Sequence, residues 1–473
     1  MKMMTATALA LVLAPVAATW SHAATLDEVA AAIGAHKVNT LQFTASGKFY
    51  FVGQSQQAGK AWPLVDLVRL TRTMDFGSGA IREDEVLAVG NNPFFGQGGI
   101  PITGERVRTQ GVNGAQAWMV VAPPIAQAAP GIMATMNHDL WTDPIGIVKA
   151  AIEDKAAMDG SVFSVDRPGK FKARTTVNGQ NLVEKIESWV NNPVLGDMAV
   201  VTTYADYKDF GGVKYPTKIT RVAGGHPAIE ATVSDVKVNP GIAAAPETIA
   251  PATIDVKVDN AADGVWHITG GSHHSVAIEM ADHVVLFESP LGDGRAAAVI
   301  DAVKRTIPGK PIRAAIASHH HFDHSGGLRA AAAEDISIVT HESSQAYFKE
   351  AYAAPRSLGP DRLSKSGKTA KFEAVGDKHV ISDATRTFEL HHVKSAPHVQ
   401  GMLIGYLPKE KILMVADLFS PRAPITKTPE KINPNPVSLW SSIVDLKLDV
   451  DTILPIHGRA VKIGELKMEV GAN

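Results

Sequence analysis

Four imidazoles and one carboxylate fall within six residues at His319-His320-His321-Phe322-Asp323-His324, and Ser325-Gly326-Gly327 follows directly. Imidazole and carboxylate together suit a divalent transition metal, zinc above all. Alternate side chains of an extended segment share a face, so His319 and His321 point together. Asp323 and His324 come at the following bend and can turn towards a second ion. His320 falls between the two faces and is expected to look away. Gly326 and Gly327 let the backbone pass close to its neighbours before a helix begins. A histidine run can also be a solvated, tag-like tract. Here the apolar segment PIRAAIAS precedes it and reads as a buried strand, which favours a built site.

His319, His321, Asp323 and His324 are too few for two ions, so further ligands must come from elsewhere. Three candidates stand at the ends of strand-like segments: His398 in APHVQG, Asp417 after ILMVA, and His457 after TILPI and before Gly458. Seven such residues would make two sites of three contacts each plus one bridge, each site left open for water as catalytic zinc requires. His391 and His392, in FELHHV, compete with His398, but Pro397 and Gly401 mark the latter as a loop residue. Arg459 could hold an anionic group of a substrate, or simply form a surface ion pair. His273 and His274 lie in GGSHHS, a turn between two early strands.

The elements around these residues alternate strand and helix. Strands are expected at 311–318, 336–340, 402–406, 412–415 and 452–456, with two more within 372–393. Helices are expected from about 325 to 333, at 343–353 and at 438–448. Mixed strands with helices outside fit a layered α/β sandwich. The region 25–238 reads as a mainly β domain. Strands are expected at 41–52, 64–74, 104–109, 117–121, 199–204 and 215–222, with a helix from Pro144 to Met158. Asn178-Gly179 and Gly211-Gly212 are hairpin-type turns. This half shows no catalytic constellation. The Pro- and Ala-rich stretch 239–253 is expected to link it to a second domain at 254–473. Fourteen of the 18 histidines lie beyond that linker, which locates the chemistry in the second half.

His319, His321, Asp323 and His324 resemble the HxHxDH signature of the metallo-β-lactamase superfamily. His398, Asp417 and His457 match that family's later ligands in order and context. The resemblance covers about Ile254 to Ile463 and implies an αββα sandwich, here preceded by the mainly antiparallel β domain. It implies that His319, His321 and His398 hold a first zinc, that Asp323, His324 and His457 hold a second, and that Asp417 bridges them. It also implies that the loop carrying His273 and His274 approaches the metals and touches substrate. Two zinc ions can bring a shared water to a roughly neutral pKa, and Asp323 would orient it and take its proton. The expected activity is cleavage of an ester, lactone or amide bond in a small molecule. Alternatives are a β-lactamase or a sulfate or phosphate ester hydrolase on the same site, and an iron-dependent dioxygenase. The diiron flavoproteins of the superfamily carry Glu where His321 stands, which disfavours that branch. The absence of cysteine argues against the lactamase subclass that needs one, and Asp417-Leu418 stands where glyoxalase II and the lactonases put their bridging Asp. The segment DFGGVKYPTKIT resembles the half-barrel of periplasmic lipoprotein carriers, which would give the first half a lipid-carrying role.

The remaining composition bounds the partners and the compartment. A formal net charge of -2 offers no basic field for a nucleic-acid backbone. No segment after the first residues is long and apolar enough for a membrane span. Lys2, the small apolar run Thr5 to Ala18 and the small residues of Ser21-His22-Ala23 read as a secretory signal cut after Ala23. The chain is therefore expected in the periplasm or outside the cell, and without cysteine it has no lipid-anchoring site at that cleavage point.

Overall fold

The computed structural model describes residues 24–92, 104–122, 125–241, 246–252 and 254–472, with 121 and 122 described in backbone only. The expected leader, 1–23, lies outside the described residues, as do 242–245 and 253 of the expected linker. Among the described residues, no helix is long and apolar enough to cross a membrane.

The first half is built on one antiparallel sheet of 13 strands. Its first strand in the chain, Thr40–Tyr50, lies next to the middle of the sheet and pairs with Leu64–Asp75 on one side and with the central strand His226–Val238 on the other. The sheet therefore joins the beginning of this region to its end. Leu41, Phe43 and Ala45 alternate onto the buried face of Thr40–Tyr50. They share a core with Val29 and Ile33 of the helix Leu26–Ile33, Met136 and Leu140 of Met133–Trp141, and Ile147 and Val148 of Pro144–Glu153. Thr25 and Glu28 close a capping box on the first of these helices. Asp143 caps the third, with Pro144 in its first turn. That helix ends at Glu153, five residues short of the Met158 expected from the sequence. Lys155 takes a left-handed φ of 51° there and turns the chain towards the short strand Met158–Asp159.

The second half packs two mixed sheets face to face. The first has seven strands in the order 257–262, 265–269, 275–279, 284–287, 312–316, 337–341 and 372–375. The second has six: 378–382, 387–392, 403–407, 412–415, 452–455 and 461–462. The stretch 372–393 thus gives three strands rather than the two expected, because Gly376 and Asp377 break the first from the second. In the strand Val284–Phe287, Val285 and Phe287 face the other sheet, while Val284 and Leu286 face the helix Asp293–Thr306. Helices 328–333 and 342–353 also pack on the first sheet, and 434–445 and 463–470 cover the second. The result is four layers, helix–sheet–sheet–helix.

Candidate metal centre

The site lies at one edge of the two sheets, at the carboxyl ends of their parallel strands, where loops leave several side chains free to converge. The strand Ile312–Ile316 leads into His319, Ile412–Val415 into Asp417, and Thr452–Pro455 into His457. After His319 the chain turns through one short helix, Phe322–Ser325, which carries Asp323 and His324. Gly326 and Gly327 are required next by close approach. A Cβ on either would lie 2.1 Å from the Leu291 carbonyl oxygen or 2.5 Å from that of Ser289.

Two clusters form. His319, His321, His398 and Asp417 bring ligand atoms within 4.8 Å of one another, and so do His273, Asp323, His324 and His457. In the rings of His319, His324 and His457 one nitrogen is held from outside and the other looks inward. His319 Nδ1 meets the Ser318 hydroxyl at 2.9 Å, His324 Nδ1 meets Glu288 at 2.9 Å, and His457 Nδ1 donates to the Ser272 carbonyl at 2.8 Å. Facing nitrogens approach to 3.0 Å between His398 and His321 and to 3.2 Å between His457 and His324. Two ligands bound tetrahedrally at zinc distances would stand about 3.3 Å apart. Asp417 lies between the clusters. Its Oδ2 is 3.1 Å from His398 Nε2, and its Oδ1 is 2.9 Å from both His324 Nε2 and His457 Nε2.

The donor set fits metal ions. Both carboxylate oxygens of Asp417 and Nε2 of His319 are buried without a well-formed hydrogen bond among the described residues. Asp417 and Glu288 have fully buried side chains, Asp323 is 29% exposed, and among the described residues none of the three pairs with a lysine or arginine. Buried negative charge without a cation is costly, and a dication would balance it. Burial would raise the Asp417 carboxyl, but His324, His457 and His398 hold it well below the usual range. Burial and neighbouring imidazoles push His319 and His321 well down, which keeps them neutral and free to ligate. His324 goes the other way. Burial would lower it, but Asp417, Asp323 and Glu288 push it well up.

All seven expected ligands are thus brought together, and His273 joins them. The sequence pointed to His273 as a substrate contact. In the structure its Nε2 is 3.2 Å from Asp323 Oδ2, and burial lowers the ring to about 4. Arg295 holds its loop through the carbonyls of Asp255, Thr269 and His273. His274 stands outside both clusters, with Nε2 3.2 Å from the Gly271 carbonyl. Arg459 pairs with Glu465 and donates to the Ala423 carbonyl. His391 bonds Glu389, and His320 turns to Ser55. Sequence reasoning missed Glu288, and it missed Gln54 of the first half, whose Nε2 donates to Asp323 Oδ1 at 2.8 Å. Neither carries a motif. Glu288 could have been noticed as a charge at the end of the apolar strand VVLF.

The model of the metallo-β-lactamase superfamily matches residues 265–457. The 2,4-dinitroanisole O-demethylase subunit alpha of Nocardioides sp. (strain JS1661) is 26% identical over 203 residues, which cover 41% of this chain and 55% of that protein. The chain therefore spans about half the length of this curated relative. Many solved structures are similar, and two serve as examples. The metallo-β-lactamase from Pontibacter korlensis is 16% identical, with 46% of this chain and 98% of that chain covered and a TM-score of 0.36. The metallo-β-lactamase FIM-1 from Pseudomonas aeruginosa in its mono-zinc form is 18% identical, with 46% and 93% covered and a TM-score of 0.35. Every residue of the two clusters lies within the stretch that the family model matches, and residues 265–457 form a domain of the metallo-β-lactamase superfamily.

Proposed function

We propose that the chain is an exported dinuclear zinc hydrolase that cleaves an ester, lactone or amide bond in a small molecule. The observation that carries the reading is Asp417, whose two oxygens face two different groups of imidazoles. His319, His321 and His398 would hold one ion, Asp323, His324 and His457 the other, and Asp417 would be shared, with His273 within reach of the second. When bound, two zinc ions supply Lewis acidity towards a carbonyl oxygen and make water acidic enough to attack near neutral pH. Asp323 is the residue suited to move the proton. Of the three carboxylates it alone reaches solvent, so it can pass a proton outward. Gln54 and His273 fix its two oxygens, which limits its rotation.

The test is turnover by the zinc-loaded full chain across aryl esters, lactones, anilides, phosphodiesters and sulfate esters. Ester, lactone or amide cleavage that chelator abolishes and zinc restores is expected. Turnover confined to phosphate or sulfate esters would overturn the assignment. The name of the O-demethylase relative favours a second reading, an activated aryl methyl ether as substrate, so 2,4-dinitroanisole belongs in the same panel. An absolute need for iron and dioxygen would instead identify an oxygenase.

A further inference from the structure

The strands Thr40–Tyr50 and Leu64–Asp75 are direct neighbours in the first-half sheet, yet residues 51–63 between them do not close a tight hairpin. They run to the ligand loops of the other half. Four successive residues make contact there. Gly53 accepts from the Phe322 amide at 3.1 Å, and Gln54 donates to Asp323 at 2.8 Å. The Ser55 carbonyl lies 2.9 Å from His320 Nε2 and 3.0 Å from His321 Nε2. Gln56 accepts from the Gln400 amide at 2.8 Å, two residues past His398. Trp62 anchors the far end of the loop. Its ring packs edge-on to Phe322, and its Nε1 donates to the Ala223 carbonyl of the sheet.

We propose that residues 53–56 are a working part of the metal centre, with Gln54 and the Ser55 carbonyl as positioning groups. This rests on the reading of the two clusters as metal sites. A backbone carbonyl only accepts, so Ser55 requires the proton of His321 to sit on Nε2. That leaves the lone pair on Nδ1, the nitrogen that faces His398. A carboxylate likewise only accepts, so Gln54 must present its NH2 group to Asp323. This fixes one oxygen of Asp323 while His273 takes the other. Outer-shell partners of this kind commonly carry 10–100-fold in metal affinity. The metal centre is therefore not self-sufficient in the superfamily half. Its affinity is set partly by a loop of the preceding sheet.

The test uses the full chain with Gln54→Met and Gln54→Glu. Both keep the length of the side chain, and neither offers an N–H to Asp323. Zinc affinity at each site is read by chelator competition, and site geometry by the absorption spectrum of the cobalt-substituted protein. Circular dichroism and the melting temperature of metal-free protein report folding. We expect one zinc to weaken 10–100-fold in both variants, the other to hold, the cobalt spectrum to change and the metal-free fold to stay intact. Gln57→Ala, an exposed neighbour, should change none of these. Gly53→Ala is a harsher probe. Gly53 has φ +85°, and a Cβ there would lie 2.4 Å from the Phe322 ring, so the loop or that ring must shift and metal affinity should fall with it. Wild-type affinities and cobalt spectrum in both Gln54 variants would overturn the proposal while leaving the dinuclear reading intact. Equal loss in Gln57→Ala would overturn it too, and a wild-type chain that binds no metal would overturn both.

Discussion

Oε2 of Glu288 lies 2.9 Å from Nδ1 of His324, and both side chains are fully buried. The other oxygen of Glu288 takes the Ser318 amide at 2.7 Å, beside the start of the histidine run. Glu288 reaches this position with a φ of 74°, a conformation uncommon for a residue with a side chain. Glu288→Gln keeps the shape but has one acceptor oxygen for two donors. We expect the second-site metal to weaken about 10–100-fold, measured by chelator competition. The metal-free protein should lose about 1–3 kcal/mol for the buried donor left without an acceptor, measured by urea unfolding. Unchanged affinity would show that Glu288 serves the strand end alone.

The site was more legible than the fold that carries it. Histidine and aspartate at strand ends are rare enough to stand out, and all seven expected ligands converge. The first-half sheet was only half visible. The strand Ala80–Ala88 reads AIREDEVLA, and its charges hide its strand character, yet Glu83 and Glu85 are buried against Arg72 and Arg108. The hairpin turns Asn178-Gly179 and Gly211-Gly212 do join strands, at 171–177 to 183–192 and at 196–209 to 214–223. Gln54 and Ser55 had no local signal at all, because their role comes from a contact across more than 260 residues. Periodicity reports which face of an element is buried and says nothing of which loop meets which.

Asp143 should make the first-half sheet pH-sensitive. It is buried, caps the helix Pro144–Glu153 and accepts from the Tyr215 hydroxyl at 2.5 Å. Burial pushes its carboxyl up to about 6, against the hydrogen bonds of Tyr215 and Ile145 and the charge of Arg72. In the unfolded chain it titrates at about 3.9. Its favourable contribution is therefore full below about pH 4 and lost as pH rises through about 6. Asp143→Asn keeps a capping side chain and cannot ionise. Urea unfolding at pH 4 and pH 7.5 should show the variant gaining about 2 kcal/mol on wild type between them. A difference independent of pH would contradict this.

The export expectation is tested by fractionating expressing cells and sequencing the N-terminus. We expect periplasmic or secreted protein that begins near Ala24. Full-length chain retained in the membrane would contradict it.

β-Lactams should be poor substrates. If Asp417, which faces both groups of imidazoles, is shared by two ions, it would place negative charge between them and reduce the electrophilicity of both. A β-lactam nitrogen leaves less readily than the oxygen of an ester or lactone, so it loses more from that reduction. We expect kcat/KM for the best lactone or aryl ester to exceed that for a penicillin, a cephalosporin and a carbapenem. A β-lactam ahead by tenfold, about 1.4 kcal/mol, would refute this.

The most direct test of the dinuclear centre is metal content, by mass spectrometry of the dialysed full chain and its ligand variants. We predict about two zinc ions in the wild type, about one in His319→Ala and in His457→Ala, and fewer than one in Asp417→Ala. A wild-type chain holding no metal, or two ions retained in all three variants, would contradict the account.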